Sequence, residues 1–287
     1  MRHYASAQVV EVRGKMFMVD CGEGTQIQLR RSRVRFTKLG AVFISHLHGD
    51  HCFGLIGLIS TFGLLGRTAK LDVYAPPALE PMLKAQLDLF CQHLDFDVVF
   101  HALDTTVQQV VYEDRSLTVE TIPLDHRMEC CGFLFREKQQ RPHIRRDMID
   151  FYEIPVSQID RIKAGDDWQT ADGETVPNSR LVTPADPPRS YAYCSDTRYM
   201  PTLADRLKGV STLYHESTYG EDNLLRAQKY CHSTALQAAQ VARDAGVGHL
   251  ILGHYSSRYE DEQVLLNEAR TVFENVSLSD EQAVFEV

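Results

Sequence analysis

The sequence predicts an α/β protein in which β-sheets are covered by helices. Three observations lead there. Short β-branched or aromatic runs recur along the chain, amphipathic helical patterns lie between them, and strands precede helices in both halves. With 287 residues, 44% of them apolar, the chain can bury a sizeable core.

The elements follow in order. Apolar runs place strands at 8–12, 16–19, 41–45 and 71–75, then at 117–122, 190–194, 212–214 and 249–252. An apolar, glycine-containing helix is expected to run through Leu65. A second helix is predicted over 80–90, where Met82, Leu83, Leu87 and Phe90 recur at helical spacing. A third covers 234–245, with Ser233 as its predicted N-cap and Gly246 just past its end. A fourth covers 261–273, with Val264, Leu265, Ala269 and Val272 on one side. No internal repeat or low-complexity segment is present.

One stretch breaks the alternation. From 136 to 189 the chain is polar and irregular, with Pro142, Pro155, Pro177, Pro184, Pro187 and Pro188. Its first part is basic, with Arg136, Lys138, Arg141, His143, Arg145 and Arg146. It reads either as a solvated insertion or as an arm that holds a polyanion away from an acidic body. The net charge of −9 repels nucleic acid in bulk, so a polyanionic substrate would need such a local patch or bound metals. Seven cysteines, an odd number with no C-x-x-C, argue against a disulfide framework or a thiolate zinc site and fit a reducing cytosol. No apolar leader opens the chain, and no apolar run is long enough to cross a bilayer. The expectation is a cytoplasmic protein with no membrane partner.

The chemistry concentrates in His46-Leu47-His48-Gly49-Asp50-His51, straight after an apolar strand. Imidazole and carboxylate suit zinc and its divalent neighbours. The pattern H-x-H-x-D-H resembles the signature of the metallo-β-lactamase-fold hydrolases. Further ligand types close separate apolar runs: His126, Asp196 and His254. Each alone is weak; together with the hexad they complete two sites. His46, His48 and His126 would hold one ion, and Asp50, His51 and His254 the other. Asp196 would bridge ions about 3.5–4 Å apart. Asp20, also at a strand end, would accept an N–H from a ligand imidazole and fix its tautomer. Two ions acidify a shared water and neutralise charge on a phosphoryl or carbonyl oxygen, and Asp50 can orient that water and take its proton. The N/O ligand set suits Zn2+ and also Mn2+.

Motifs along the chain resemble those of the ribonuclease Z family, endonucleases that trim the 3′ trailer from precursor tRNA. They are Asp20-Cys21-Gly22-Glu23-Gly24-Thr25-Gln26, the hexad with Cys52-Phe53-Gly54-Leu55, Pro123-Leu124-Asp125-His126-Arg127 and Ser195-Asp196-Thr197-Arg198. His215-Glu216-Ser217-Thr218, His232-Ser233-Thr234 and Gly253-His254-Tyr255-Ser256-Ser257-Arg258-Tyr259 follow in family order. The resemblance implies a single four-layer αββα metallo-β-lactamase-like domain over 1–287, carrying a protruding arm at about 136–189. It implies a two-metal endoribonuclease that cuts precursor tRNA after the unpaired base following the acceptor stem, leaving a 3′-hydroxyl. His232 would protonate the leaving 3′ oxygen, with Glu216 positioning it. Arg141, Arg145 and Arg146 would contact tRNA phosphates, and a homodimer would let the arm act across subunits. Relatives usually begin with an additional strand and a Gly-rich loop ahead of the region matching 1–12, which points to a shortened start here and a changed treatment of the RNA 3′ end. The arm also lacks the usual Gly-Pro pair; Ile154-Pro155 stands nearby. The competing readings are a small-molecule or cyclic-nucleotide phosphodiesterase on the same fold, and a non-catalytic RNA-binding relative.

Overall fold

The computed structural model describes residues 3–32, 34, 35 and 38–287; Met1 and Arg2, part of the stretch read for a leader, lie outside them. The chain forms two compact units, Met1–Arg136 with Arg189–Val287, and Glu137–Pro188.

Strand β1 (Gln8–Val12) turns back on β2 (Lys15–Val19) through Arg13 and Gly14, both at positive φ. Then follow α1 (Thr25–Arg31), β3 (Leu39–Phe43), the short helix α2 (Gly49–Cys52), α3 (Leu55–Leu64), β4 (Leu71–Ala75), α4 (Leu79–Phe90) and β5 (Val98–Ala102). They build a sheet of order β1-β2-β3-β4-β5, parallel from β2 onward. A second sheet opens with β6 (Val110–Glu113), β7 (Leu117–Pro123) and β8 (Cys131–Glu137).

The unit Glu137–Pro188 interrupts it. This unit is not structureless: β9 (His143–Ile144), α5 (Arg146–Phe151), α6 (Val156–Lys163), β10 (Trp168–Gln169), β11 (Thr175–Val176), α7 (Asn178–Leu181) and β12 (Val182–Thr183) surround a small core of Ile154, Ile162, Val176 and Leu181. Sparse apolar residues hid these elements from periodicity. The basic character is confined to the first stretch, since residues 137–188 hold ten carboxylates against seven lysines and arginines.

The second sheet resumes with β13 (Ser190–Cys194), α8 (Leu203–Arg206), β14 (Thr212–Glu216), α9 (Leu224–Tyr230), α10 (Ala235–Ala245), β15 (His249–Gly253), α11 (Gln263–Arg270) and β16 (Val276–Leu278). Its order is β16-β15-β14-β13-β8-β7-β6, with β13 to β16 parallel.

Three hydrophobic cores define four layers. Helices α3 and α4 bury Leu58, Phe62 and Leu83 against Met18, Val42 and Val73. The sheets meet through Phe17, Val19 and Phe43 on one side and Phe133, Phe135 and Tyr193 on the other. Helices α10 and α11 bury Ala238, Ala242 and Leu265 against Leu213 and Leu250. In β2, Met16 and Met18 face helices while Phe17 and Val19 face the other sheet, the period-two alternation of a strand buried on both faces. The architecture is the αββα sandwich.

Some elements differ from the sequence reading. Strands β5, β6, β8 and β16 were not anticipated. β8 is a short continuous apolar run, which periodicity cannot tell from a helix. Strand β3 ends at Phe43 rather than Ser45, because the Ser45 N–H donates to Asp20 Oδ1 at 2.8 Å. Helix α10 is capped by Thr234, not Ser233. Thr234 Oγ1 accepts from the Gln237 N–H and the Gln237 side chain accepts from the Thr234 N–H, a capping box. Ser233 Oγ instead donates to the Thr197 carbonyl at 2.8 Å. Gly246 does close the helix, in the left-handed region at φ 62°.

Candidate metal centre

The ligand candidates gather where strands of both sheets end. Asp20 follows β2, His46 follows β3, His126 follows β7, Asp196 follows β13 and His254 follows β15. Glu216 is the last residue of β14, between β13 and β15. His48 precedes α2, and Asp50 and His51 lie within it. A helical turn, not an extended loop, therefore brings the second half of the hexad to the cluster. The β2 and β3 loops touch closely: a Cβ on Gly22 would stand 2.3 Å from the Asp50 carbonyl, and one on Gly54 1.9 Å from the Gly22 carbonyl. Glycine is required at both.

The donors converge. His46, His48, His126 and Asp196 form one set within 4.8 Å, and Asp50, His51 and His254 another; Asp196, His232 and His254 also offer atoms within 4.8 Å of one another. His46 Nε2 and His126 Nε2 approach His48 Nδ1 at 3.0 and 3.3 Å, and each lies 3.6 Å from Asp196 Oδ2. His51 Nε2 and His254 Nε2 lie 3.4 and 3.2 Å from the other oxygen, Asp196 Oδ1. Asp50 Oδ2 completes the second set at 3.6 Å from His51 Nε2 and 3.8 Å from His254 Nε2. Ligands about 2.0–2.2 Å from one tetrahedral zinc stand roughly 3.3–3.6 Å apart. The two oxygens of Asp196 thus divide between the sets. His51 Nε2 is buried without a hydrogen-bond partner, an orphan whose expected partner is a cation. The residues fit a divalent metal site.

Outer hydrogen bonds fix which nitrogen of each imidazole is bare. The His126 Nδ1–H donates to the Cys231 carbonyl at 2.9 Å. Ser45 Oγ donates to Asp20, so it accepts from His46 Nδ1–H at 3.0 Å. Thr218 Oγ1 donates to Glu216 Oε2, so it accepts from His254 Nδ1–H at 3.0 Å. His51 Nδ1–H donates to Asp20 Oδ2 at 2.7 Å. In all four it is Nε2 that faces the cluster. Buried Asp20 also accepts from Ser45 N–H and from Tyr193 OH at 2.7 Å. Asp20→Asn would turn an amide N–H₂ toward these donors. It is expected to weaken metal affinity about 10–100-fold and lower stability by about 1–3 kcal/mol, read by chelator competition and thermal unfolding.

The two sets differ in protonation. Burial, aided by nearby His51, lowers His46 to about 3. Burial likewise lowers His48 and His126. At His51 and His254 burial also disfavours the proton, but carboxylates overcome it. Asp20 and Asp196 hold His51 well above its ordinary value, and Asp196 and Asp50 raise His254 to about 9. A raised group keeps its proton to higher pH, and that proton must leave before the nitrogen can hold a cation. Affinity at the Asp50–His51–His254 set is therefore expected to fall about tenfold per displaced proton for each pH unit below about 9. The set with neutral imidazoles should stay flat across neutral pH. Chelator competition at several pH values measures this, and equal slopes for two ions would contradict it.

Beside the cluster, His232 Nδ1 meets Glu216 Oε1 at 2.8 Å, and the His232 ring lies 5.1 Å from the His126 ring and 5.5 Å from the His254 ring. Glu216 is fully buried and also accepts from Thr197 N–H and Thr218 Oγ1. Burial pushes its carboxyl up, but His232 more than offsets this and holds it below its ordinary value. Sequence reasoning assigned no role to Ser45, Tyr193, Thr218 or the Cys231 carbonyl. Thr218 was in sight within the Glu216 motif; the others carry no periodic or spacing signal. Arg141, Arg145 and Arg146 belong to the Glu137–Pro188 unit. All are exposed, and Arg145 is paired with Asp147 at 2.6 Å.

Residues 1–150 match the family model described as Anti-Pycsar protein Apyc1, a stretch that ends before Asp196, Glu216, His232 and His254. The metallo-beta-lactamase fold protein YhfI from Bacillus subtilis superposes with a TM-score of 0.65 at 18% identity, over 97% of this chain and 90% of that one. Human tRNase Z, short form (ELAC1), superposes with a TM-score of 0.70 at 23% identity, over 99% of this chain and 93% of that one. Ribonuclease Z of Bacteroides fragilis (strain YCH46) is 57% identical over 98% of this chain and 92% of its own length. With both halves of the metal cluster and the Glu216–His232 pair inside that alignment, the chain belongs to the ribonuclease Z family.

Proposed function

We infer that the protein is a two-metal endoribonuclease that cuts precursor tRNA 3′ of the unpaired base following the acceptor stem and leaves a 3′-hydroxyl on the tRNA. The observation that carries this is the juxtaposition of a split-carboxylate metal cluster with a buried Glu216–His232 pair. A degenerate, non-catalytic relative would lack ligands, and every one is present.

His46, His48 and His126 would hold one divalent ion, Asp50, His51 and His254 the other, with one Asp196 oxygen directed to each. Zinc suits the ligand set, as does manganese. When bound, such ions supply an acidified water and neutralise charge on the phosphate. Asp50, the most exposed of these residues, would orient that water and accept its proton. Glu216 accepts from His232 Nδ1–H, leaves Nε2 free, and stabilises the protonated ring that gives its proton to the departing 3′ oxygen.

The Glu137–Pro188 unit would act as a tRNA-binding arm through Arg141, Arg145 and Arg146. Neutralising all three should weaken tRNA binding and flatten its salt dependence by up to about 2 to 3 in slope, measured by filter binding across ionic strength. A homodimer with the arm working across subunits is supported by exposed apolar residues near α2 to α4, including Phe53, Leu64, Met82 and Phe90. No helix among the described residues is long and apolar enough to cross a membrane. A cytoplasmic location is proposed from the cysteine pattern.

A cleavage assay tests the reading. Metal-loaded protein should cut a precursor tRNA carrying a 3′ trailer once, directly after the unpaired base. An intact precursor alongside brisk turnover of bis(p-nitrophenyl) phosphate would favour a small-substrate phosphodiesterase instead.

A further inference from the structure

We propose that Arg127, Lys229 and Tyr230 form the subsite for the nucleotide whose 3′ oxygen leaves, the two cations on its phosphate and the tyrosine ring against its unpaired base. This rests on the ribonuclease reading and names a strand contact that reading leaves open.

Arg127 follows the ligand His126, and Tyr230 is the last residue of α9. These distant segments are clasped by the His126 Nδ1–H bond to the Cys231 carbonyl, 2.9 Å long. Cys231 adopts the left-handed conformation, φ 58°, and its N–H returns to the Ala227 carbonyl. The chain therefore turns sharply after α9. That turn brings His232 to the metal cluster while Tyr230 stays half-buried at the rim.

Arg127 Cζ stands 5.8 Å from the Tyr230 ring centroid and Lys229 Nζ 5.3 Å from it. Both cations are exposed, and among the described residues neither has a carboxylate partner. Neighbouring Arg198 shows the contrast, because Asp125 neutralises it at 3.1 Å. In a chain of net charge −9, two cations left unpaired around one aromatic ring make a local anion-attracting platform. Unpaired RNA nucleotides are held by this combination of stacking ring and cationic groups, and stacking tolerates any base.

The position selects the nucleotide. Glu216 occupies His232 Nδ1, so Nε2 serves the leaving oxygen, and the nucleotide bearing that oxygen lies on the His232 flank. The platform borders this flank through the His126–Cys231 clasp. It would supply part of the local positive charge that the acidic body lacks.

The test uses the metal-loaded full chain with two precursors, one normal and one abasic at the unpaired nucleotide before the cut. Bis(p-nitrophenyl) phosphate hydrolysis is measured in parallel, and RNA rates are expressed relative to it. Wild-type protein should lose about tenfold in kcat/KM on the abasic precursor. Tyr230→Leu should lose about ten- to a hundredfold on the normal precursor and nothing further on the abasic one. Tyr230→Phe, which keeps the ring, should restore cleavage. Arg127→Gln should lower the slope of log KM against log salt by about 0.7–0.9. Normal relative rates for Tyr230→Leu, or an abasic penalty of equal size in that variant, would overturn the subsite while leaving the ribonuclease reading standing. Failure of the wild type to cut the normal precursor would overturn both.

Discussion

An Asp196→Asn variant is expected to retain less than one metal ion per chain and to lose at least about a thousandfold in activity. Oδ2 faces His46 and His126 at 3.6 Å, and Oδ1 faces His51 and His254 at 3.4 and 3.2 Å. No other carboxylate among the described residues joins both sets of donors. The amide removes one oxygen donor and the only negative charge shared by the sets. It also removes the charge that helps hold protons on His51 and His254, whose raised values depend on it. The side chain is buried, so water cannot substitute. Elemental analysis of the dialysed variant measures the effect. Two ions per chain at normal affinity would refute a bridging role.

A His232→Ala variant is expected to lose about 10²–10⁴-fold in kcat on precursor tRNA while keeping its metal content. An alkoxide leaving group needs a proton, whereas p-nitrophenolate departs readily without one. The variant should therefore be hurt far more on RNA than on bis(p-nitrophenyl) phosphate. Glu216→Gln should show the same selectivity with a smaller loss, since the amide leaves His232 in place but withdraws the charge beside it. Equal losses on both substrates would place His232 in the support of the metal cluster instead.

Much of this centre was legible in the chain because its chemistry sits at strand ends. His126, Asp196 and His254 each close an apolar run, and a run predicts where a rigid scaffold can aim a side chain. The hexad is contiguous, so its convergence needed only one turn. The Glu216–His232 contact was different. Sixteen residues and helix α9 separate them, and no spacing rule spans that distance; the motif resemblance carried it. The network behind the ligands was not legible at all. Tyr193 reads as an ordinary aromatic of a buried strand until its hydroxyl is found on Asp20. Four strands of the two main sheets escaped because buried or short edge strands lack alternation, and Ser233 was chosen over Thr234 because a cap is defined by which hydroxyl reaches the third N–H.

Asp20, Asp196 and His254 share one further property. All three are non-glycine residues in the left-handed backbone region, at φ 58°, 57° and 57°. Such a conformation costs of order 1–2 kcal/mol per residue relative to glycine. The scaffold is thus less robust than its sandwich would permit, and part of the tension sits where the chemistry is. Selection for heat resistance alone would push these positions toward glycine and harvest sturdy, inert proteins, so durability and turnover pull this chain in opposite directions.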